Sequence, residues 1–489
     1  MTHKDTLNSN KEESMKQTNI IKPNLSVMKP SQINRVHEYS LQILSTVGLR
    51  VDSTEARKLF TKAIGPQAVD GDRVRIPPDL VEWAIQAAPA RIDVYDRNGA
   101  PAFRLPDQVR FGVGVTSLYY QDPATDAVVP FSRKHMETCV RLGNGLPSFD
   151  VISTVGIVRD VAPQVSDLYA TLEMTANTAK PLIILISDEN AFPAVLDLLE
   201  HLHGDLSPRP SVIPYFNPIT PLVVNKTTVD KMVVAIERGL PFIYANYGMA
   251  GASTPITPAG QLALMNAEVL AGLTLGQLIK EGTPMILGIH PACFEMKGNE
   301  SFYDTKSYLI DLACAEMMAH YNLPHSGTSG SGMGWGADLI AGGHQWFNHL
   351  ISCLGKKGLA PFVGDILGSQ AFSPNVIVYA NEIIQQVRLF TEGFVIDDTN
   401  IGLEDITQAG PGGDFLLSDL TLKSYRNARQ FSHIFENLQI DEWQARDYPR
   451  AEDLLRGYTR RLLNQSKPPQ NHAELLKQGE SFIEALGNH

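Results

Sequence analysis

The residues most suggestive of chemistry lie between Gly327 and Gly336, where Gly327, Gly330, Gly332, Gly334 and Gly336 are interleaved with Thr328, Ser329, Ser331, Met333 and Trp335. Glycine lets backbone N–H groups approach a ligand closely, and ordering so glycine-rich a loop costs more entropy than making a turn requires. An indole between two glycines is poorly placed for a core and well placed to offer its π face to a ligand, a cationic one above all. A mobile surface connector and a phosphate-binding glycine loop are the competing readings of the same stretch. Further aromatic residues, Tyr119, Phe216, Tyr247 and Phe372, fall at comparable places along the chain and with Trp335 would make a cage for a quaternary ammonium group. His290, Cys293 and Glu295 suggest a zinc site, but zinc needs three or four ligands in a tetrahedral array and no second cysteine pair is near in sequence. Gln261, Glu268 and His344, the last beside the helix-weakening pair Gly342-Gly343, are the remaining polar candidates for positioning a substrate. No P-loop, nucleophile elbow or kinase signature is present.

These residues need a scaffold, and the hydrophobic pattern supplies one. From about residue 110, short β-rich apolar runs alternate with longer helical patterns eight times, the runs including 109–115, 211–216, 284–289 and 359–363. Thr257-Pro258 and Ser373-Pro374 mark helix starts, and Gly239, Gly282, Gly358 and Gly393 mark helix ends. Eight strand–helix units predict an α/β fold, a (β/α)8 TIM barrel over 106–395. An N-terminal addition of helices and a hairpin around Asn98-Gly99 spans 30–105, a helical extension covers 396–489, and polar residues 1–29 are expected to be a disordered tail. Ligands of such barrels bind at the C-terminal strand ends. There the chain places Asn217-Pro218, Asn246-Tyr247, His290-Pro291, Gly327-Thr328-Ser329 and Gly364-Asp365, a set without Lys or Arg.

The chain has 489 residues, 43% of them hydrophobic, a net charge of −12 and four widely spaced cysteines. The charge argues against nucleic acid or an anionic membrane as a partner. With no signal peptide or bilayer-length apolar run recognised, the expectation is a reduced, cytoplasmic protein acting on a polar or cationic small molecule, as a homo-oligomer.

The run from Tyr247 through Gly251, Thr254-Pro255, Thr257-Pro258, Gln261 and Asn266-Ala267-Glu268 to Gly272 resembles a signature of the trimethylamine:corrinoid methyltransferase superfamily. Ile76-Pro77-Pro78, Tyr95-Asp96-Arg97-Asn98-Gly99, Phe372-Ser373-Pro374 and Gly410-Pro411-Gly412-Gly413 recur in the family's order, so the resemblance extends over about 30–460. It implies a barrel that passes a methyl group from a methylated amine to the cobalt of a corrinoid (cobalamin) carried on a separate protein. Founding members hold pyrrolysine in the loop after the seventh strand. Ordinary residues stand there in this chain, with Trp335 near the equivalent place, which is similar to the non-pyrrolysine branch acting on quaternary amines such as glycine betaine. On that resemblance Tyr119, Phe216, Asn217, Tyr247, His290, Trp335 and Phe372 would bind substrate, Gly327, Thr328, Ser329, Gly330 and Ser331 would face the corrinoid, and no metal would be bound by the chain itself. His201-Leu202-His203-Gly204 lacks the aspartate of a corrinoid-carrier motif, so the corrinoid is expected on a partner.

Overall fold

The computed structural model describes residues 19–186, 188–298, 300–328, 332–428 and 432–487. Eight parallel strands form its centre: β1 (Arg110–Val113), β2 (Val151–Ser153), β3 (Leu182–Ile184), β4 (Val212–Phe216), β5 (Phe242–Ala250), β6 (Met285–Glu295), β7 (His325–Ser326) and β8 (Leu359–Val363). Each pairs with its sequence neighbour, and β8 returns to β1, so the sheet closes. Eight helices alternate with them: α1 (Arg133–Gly145), α2 (Pro163–Asn177), α3 (Phe192–His203), α4 (Lys226–Glu237), α5 (Pro258–Ile279), α6 (Thr305–His320), α7 (Leu339–Leu354) and α8 (Pro374–Glu392). The chain is therefore a TIM barrel with additions at both ends.

Strand alternation sorts the apolar residues into two layers. Val151, Ile183, Ile213, Ile243, Ile286 and Leu359 cluster inside the barrel together with Ile92, Val94, Phe103 and Leu105 of the antiparallel hairpin Ile92–Tyr95/Pro101–Leu105. That hairpin packs into the barrel interior and keeps it a filled core. The alternate set, including Val212, Phe216, Phe242, Tyr244 and Leu287, packs outward against the helices. Helix α5 lies so close to β5 that a Cβ on Gly272 would stand 2.0 Å from the Tyr244 ring. By length and composition α5 is long and apolar enough to cross a membrane, contrary to the expectation of no such run; 89% of its most apolar window is buried inside the protein.

The N-terminal expectation changes. Residues 19–29, assigned to a disordered tail, are tied down: Ile20–Ile21 pairs with Phe394–Val395, and the N–H groups of Val27 and Met28 donate to the Glu316 carboxylate at 2.7 and 2.9 Å. Residues 1–18 lie outside the described residues. At the other end the helix His472–Gly487 packs on α2 and α3, where Arg133 bridges Glu173 and Glu480, each at 2.5 Å.

Candidate active site

The C-terminal strand ends surround a cavity of about 430 Å³. Val115, Leu185, Tyr215, Asn217, Tyr247, His290 and Phe362 come from the barrel strands or the residues just after them, and Thr328, Gly332, Met333, Gly368 and Ser369 come from the loops beyond β7 and β8. The extended end of β6 turns back as a strand at Glu300–Phe302, carrying Ser301, Phe302 and Tyr303 over the opening. The loops after β7 and β8 are joined by Leu367 N–H donating to Gly334 O at 3.0 Å and Gly368 N–H to Gly332 O at 2.8 Å.

The cavity wall is aromatic and uncharged. The Tyr215 and Phe362 rings meet edge to face at 5.4 Å, His290 lies 6.0 Å from Phe362 and 6.3 Å from Tyr215, and Tyr247 meets Tyr303 edge to face at 6.4 Å. Burial, helped by the positive charge of Lys357, pushes the His290 pKa down to about 4, so its imidazole is neutral at pH 7. Its Nε2 has no hydrogen-bond partner among the described residues and is free for a ligand. Burial raises the pKa of Tyr215 and Tyr247 above the ordinary phenol value, so both stay protonated. No Lys, Arg, Asp or Glu is among the described lining residues.

Of the residues singled out in the sequence, Asn217, Tyr247, His290 and Thr328 line this cavity. The rest of the expected cage does not assemble. Phe216 is 1% exposed and packs outward against Phe192 and Phe242; its neighbour Tyr215, one position earlier and therefore on the inner face, takes its place. Phe372 is fully buried and fills the space beside Gly364, and Tyr119 packs against Ile366, Ala371 and Val376. Trp335 is 72% exposed and does not line the cavity; its backbone is held by Gln121 Nε2 at 2.9 Å and Asp338 at 2.8 Å. Gly327 is buried against Asp311 and His325, and Ser329, Gly330 and Ser331 lie outside the described residues.

The positioning candidates also move. Gln261 is buried and donates to Gly248 O and Ala292 O at 2.9 and 3.0 Å, clamping β5 to β6 from outside. Glu268 accepts from Leu222 N–H at 2.5 Å, Asn246 Nδ2 at 2.6 Å and Thr220 Oγ1 at 2.8 Å, behind the outward face of β5. Burial still pushes its pKa up to about 7. His344 bonds the Tyr308 hydroxyl at 3.1 Å between α6 and α7; a Cβ on Gly343 would meet nothing within 4 Å and one on Gly342 would stand in ordinary contact with Tyr379, 3.4 Å from its hydroxyl, so neither glycine is required by close packing. The zinc reading fails on strand parity: His290 points inward, while Cys293 and Glu295 lie on the opposite face, with Cys293 beside Ser307 and Glu295 exposed. Among the described residues no group of three His, Cys, Asp or Glu side chains is arranged to hold a metal ion.

Sequence reasoning missed Tyr215, Tyr303 and Phe362. Tyr215 was findable by continuing the inward parity of Ile213; Phe362, three places after Leu359, faces inward only through the slip in pairing register within β8, and Tyr303 reaches the mouth only because β6 folds back on itself.

The sequence pattern of the trimethylamine methyltransferase (MTTB) family matches residues 2–485. The chain belongs to that family. Among family relatives, a trimethylamine methyltransferase of Desulfitobacterium hafniense is 24% identical over 451 residues, covering 89% of this chain and 90% of its own length. A glycine betaine methyltransferase of the same species is 23% identical over 474 residues, covering 95% and 98%. A Methanosarcina barkeri trimethylamine methyltransferase is 25% identical over 405 residues, covering 80% and 81%. The solved monomethylamine methyltransferase of M. barkeri shares 10% identity with a TM-score of 0.46, covering 94% of this chain and 93% of that one.

Proposed function

We propose that this enzyme transfers a methyl group from a quaternary amine to Co(I) of a corrinoid carried by a separate protein. The observation that carries the reading is the cavity itself: Tyr215, Tyr247, Tyr303 and Phe362 around a neutral His290, with no lining ammonium or guanidinium, in a chain of a methylamine methyltransferase family. Aromatic faces attract quaternary ammonium through their quadrupoles, each favourable contact contributing about 0.5–1 kcal/mol at an exposed site and about 2 kcal/mol when desolvated. Betaine-type amines such as glycine betaine belong to this donor class, and one relative bears that substrate in its name.

The chemistry asks no residue to donate a proton. The methyl carbon is the electrophile; its bond to nitrogen breaks as its bond to cobalt forms, and nitrogen keeps the electron pair as a neutral tertiary amine. No proton is needed by the leaving group, so a wall of phenols that stay protonated and an imidazole with a pKa near 4 is sufficient. The wall's work is to strip water from the ammonium and hold one methyl toward the opening, which places donor and acceptor in line. The acceptor is delivered by a carrier and is a co-substrate of this chain.

Mixing the protein with a reduced corrinoid carrier and a panel of quaternary amines tests the proposal. The expected result is amine-dependent conversion of the Co(I) spectrum to that of methyl-Co(III), with the tertiary amine formed in equal amount. No spectral change with any quaternary amine, together with methyl transfer from trimethylamine, would overturn it.

A further inference from the structure

Directly behind the cavity wall stands a carboxyl group that the chemistry above does not use. Asp365 follows β8, pairs in register with Phe372 and is 0% exposed. Neither of its carboxylate oxygens has a hydrogen-bond partner among the described residues. Its Oδ2 lies 3.6 Å from the point where a Cβ on Gly332 would sit, and Gly332 and Ser369 are both wall residues of the cavity. Burial pushes the Asp365 pKa from 3.8 up to about 7; the nearby Ser369 hydroxyl and Gly332 N–H offset only part of that, since neither meets hydrogen-bond geometry. A buried carboxylate is costly unless a cation answers it. None of the ion pairs among the described residues involves Asp365, and the buried Lys357 is already committed to Asp311.

We propose that Asp365 is the counter-charge for the ligand's ammonium group and makes the cavity select a net-cationic quaternary amine over a zwitterionic betaine. The proposal rests on the quaternary-amine reading of the site. A ligand carboxylate would meet no Lys or Arg along the described wall, a neutral His290, and an Asn217 amide already donating to Ala245 O at 2.9 Å. It would also meet the like charge of Asp365. A trimethylammonium group on an uncharged chain, as in choline, meets only the attraction. Because nitrogen loses its charge as the methyl departs, the counter-charge strengthens binding of the substrate more than of the transition state. Asp365 is therefore a specificity residue that lowers KM and does not raise kcat.

The groups that face Asp365 leave it a clear titration. Tyr303 and Tyr308 feel its charge and have pKa values raised above the ordinary phenol value, so they stay neutral. His290 has a pKa of about 4, His344 on the Tyr308 hydroxyl is shifted below the ordinary histidine value, Asp304 is held below the ordinary carboxylate range, and Asp311 is paired with Lys357. Glu268 also titrates near 7 but lies behind the outward face of β5, so replacing Asp365 alone separates the two.

The test is calorimetric binding of choline and glycine betaine to the full-length protein and to Asp365→Asn between pH 6 and 8.5, with steady-state kinetics on the same pair. The wild type should bind choline at least about tenfold more tightly than glycine betaine at pH 8, the choline affinity should rise about tenfold from pH 6 to 8, and protons should be released on binding. Asp365→Asn should erase the pH slope, narrow the ratio below about threefold, and raise KM for choline with kcat raised as well, since the bound substrate loses more stabilisation than the transition state. An Asp365→Glu variant, keeping the charge, should retain the preference and guards against a merely misfolded Asn variant. Tighter binding of glycine betaine by the wild type, or an Asn variant with the wild-type ratio and slope, overturns the role of Asp365. Binding of neither amine overturns the quaternary-amine reading and this proposal with it.

Discussion

A phenyl ring on a cavity wall and an indole standing in solvent should respond differently to replacement. Phe362 packs edge to face with Tyr215 and lines the cavity, so Phe362→Leu is expected to weaken quaternary-amine binding by about 1–2 kcal/mol, a 5- to 30-fold rise in Kd by calorimetry. Trp335, 72% exposed, should be replaceable by Ala with the affinity unchanged within twofold; a loss like that of Phe362→Leu would return the indole to the cage. Glu268 makes a separate prediction at this scale. Its native pKa, raised from 4.5 to about 7, means the folded state holds a proton that the unfolded chain releases. Its contribution to stability is thus full below pH about 4.5 and is lost as pH rises through about 7, by roughly 1 kcal/mol per pH unit. Glu268→Gln should flatten the fall in Tm between pH 5 and 8, and a variant with the wild-type slope would contradict this. The residue scale is also where the sequence misleads most easily, because moving one place along a strand exchanges Phe216, which packs on helices, for Tyr215, which faces the cavity.

At the scale of elements, the contact of α5 with β5 holds the C-terminal face in shape. Gly272 lets the helix lie against the Tyr244 ring, and Gln261 Nε2 ties the carbonyls of Gly248 and Ala292 on adjacent strands. Gly272→Ala should force helix and strand apart at a cost of about 1–3 kcal/mol or more, read as a Tm lower by several degrees. Unchanged melting would mean that the Tyr244 ring gives way freely. The order of these elements and several helix starts were readable from the chain, since proline starts such as Thr257-Pro258 and glycine ends such as Gly282 act locally, whereas β6 runs on to Glu295, past its expected end at 289. Two features were not. The fold-back of β6 that brings Tyr303 to the opening depends on pairing Cys293–Glu295 with Glu300–Phe302, and the joining of the loops after β7 and β8 depends on Gly332 and Gly334 finding Leu367 and Gly368.

At the scale of the whole molecule, the additions at both ends tie the barrel's helices together. The N-terminal strap is held by Glu316 on α6, whose carboxylate accepts from two backbone N–H groups. Glu316→Ala should leave both unsatisfied, costing about 1–3 kcal/mol, and should speed amide hydrogen exchange over residues 19–29; exchange unchanged there would show that the Ile20–Ile21 pairing suffices alone. The sequence by itself determined the barrel, the strand-end location of the site and the scarcity of charge there, because hydrophobic period, helix signals and residue type are local properties. It also carried the family resemblance. Tertiary structure alone decided which aromatic rings meet around one cavity, that Trp335 stands outside it, and that Asp365 lies unpaired behind its wall. Those facts depend on strand parity carried through a register slip and on loops meeting across a closed sheet, which bring together residues more than a hundred positions apart.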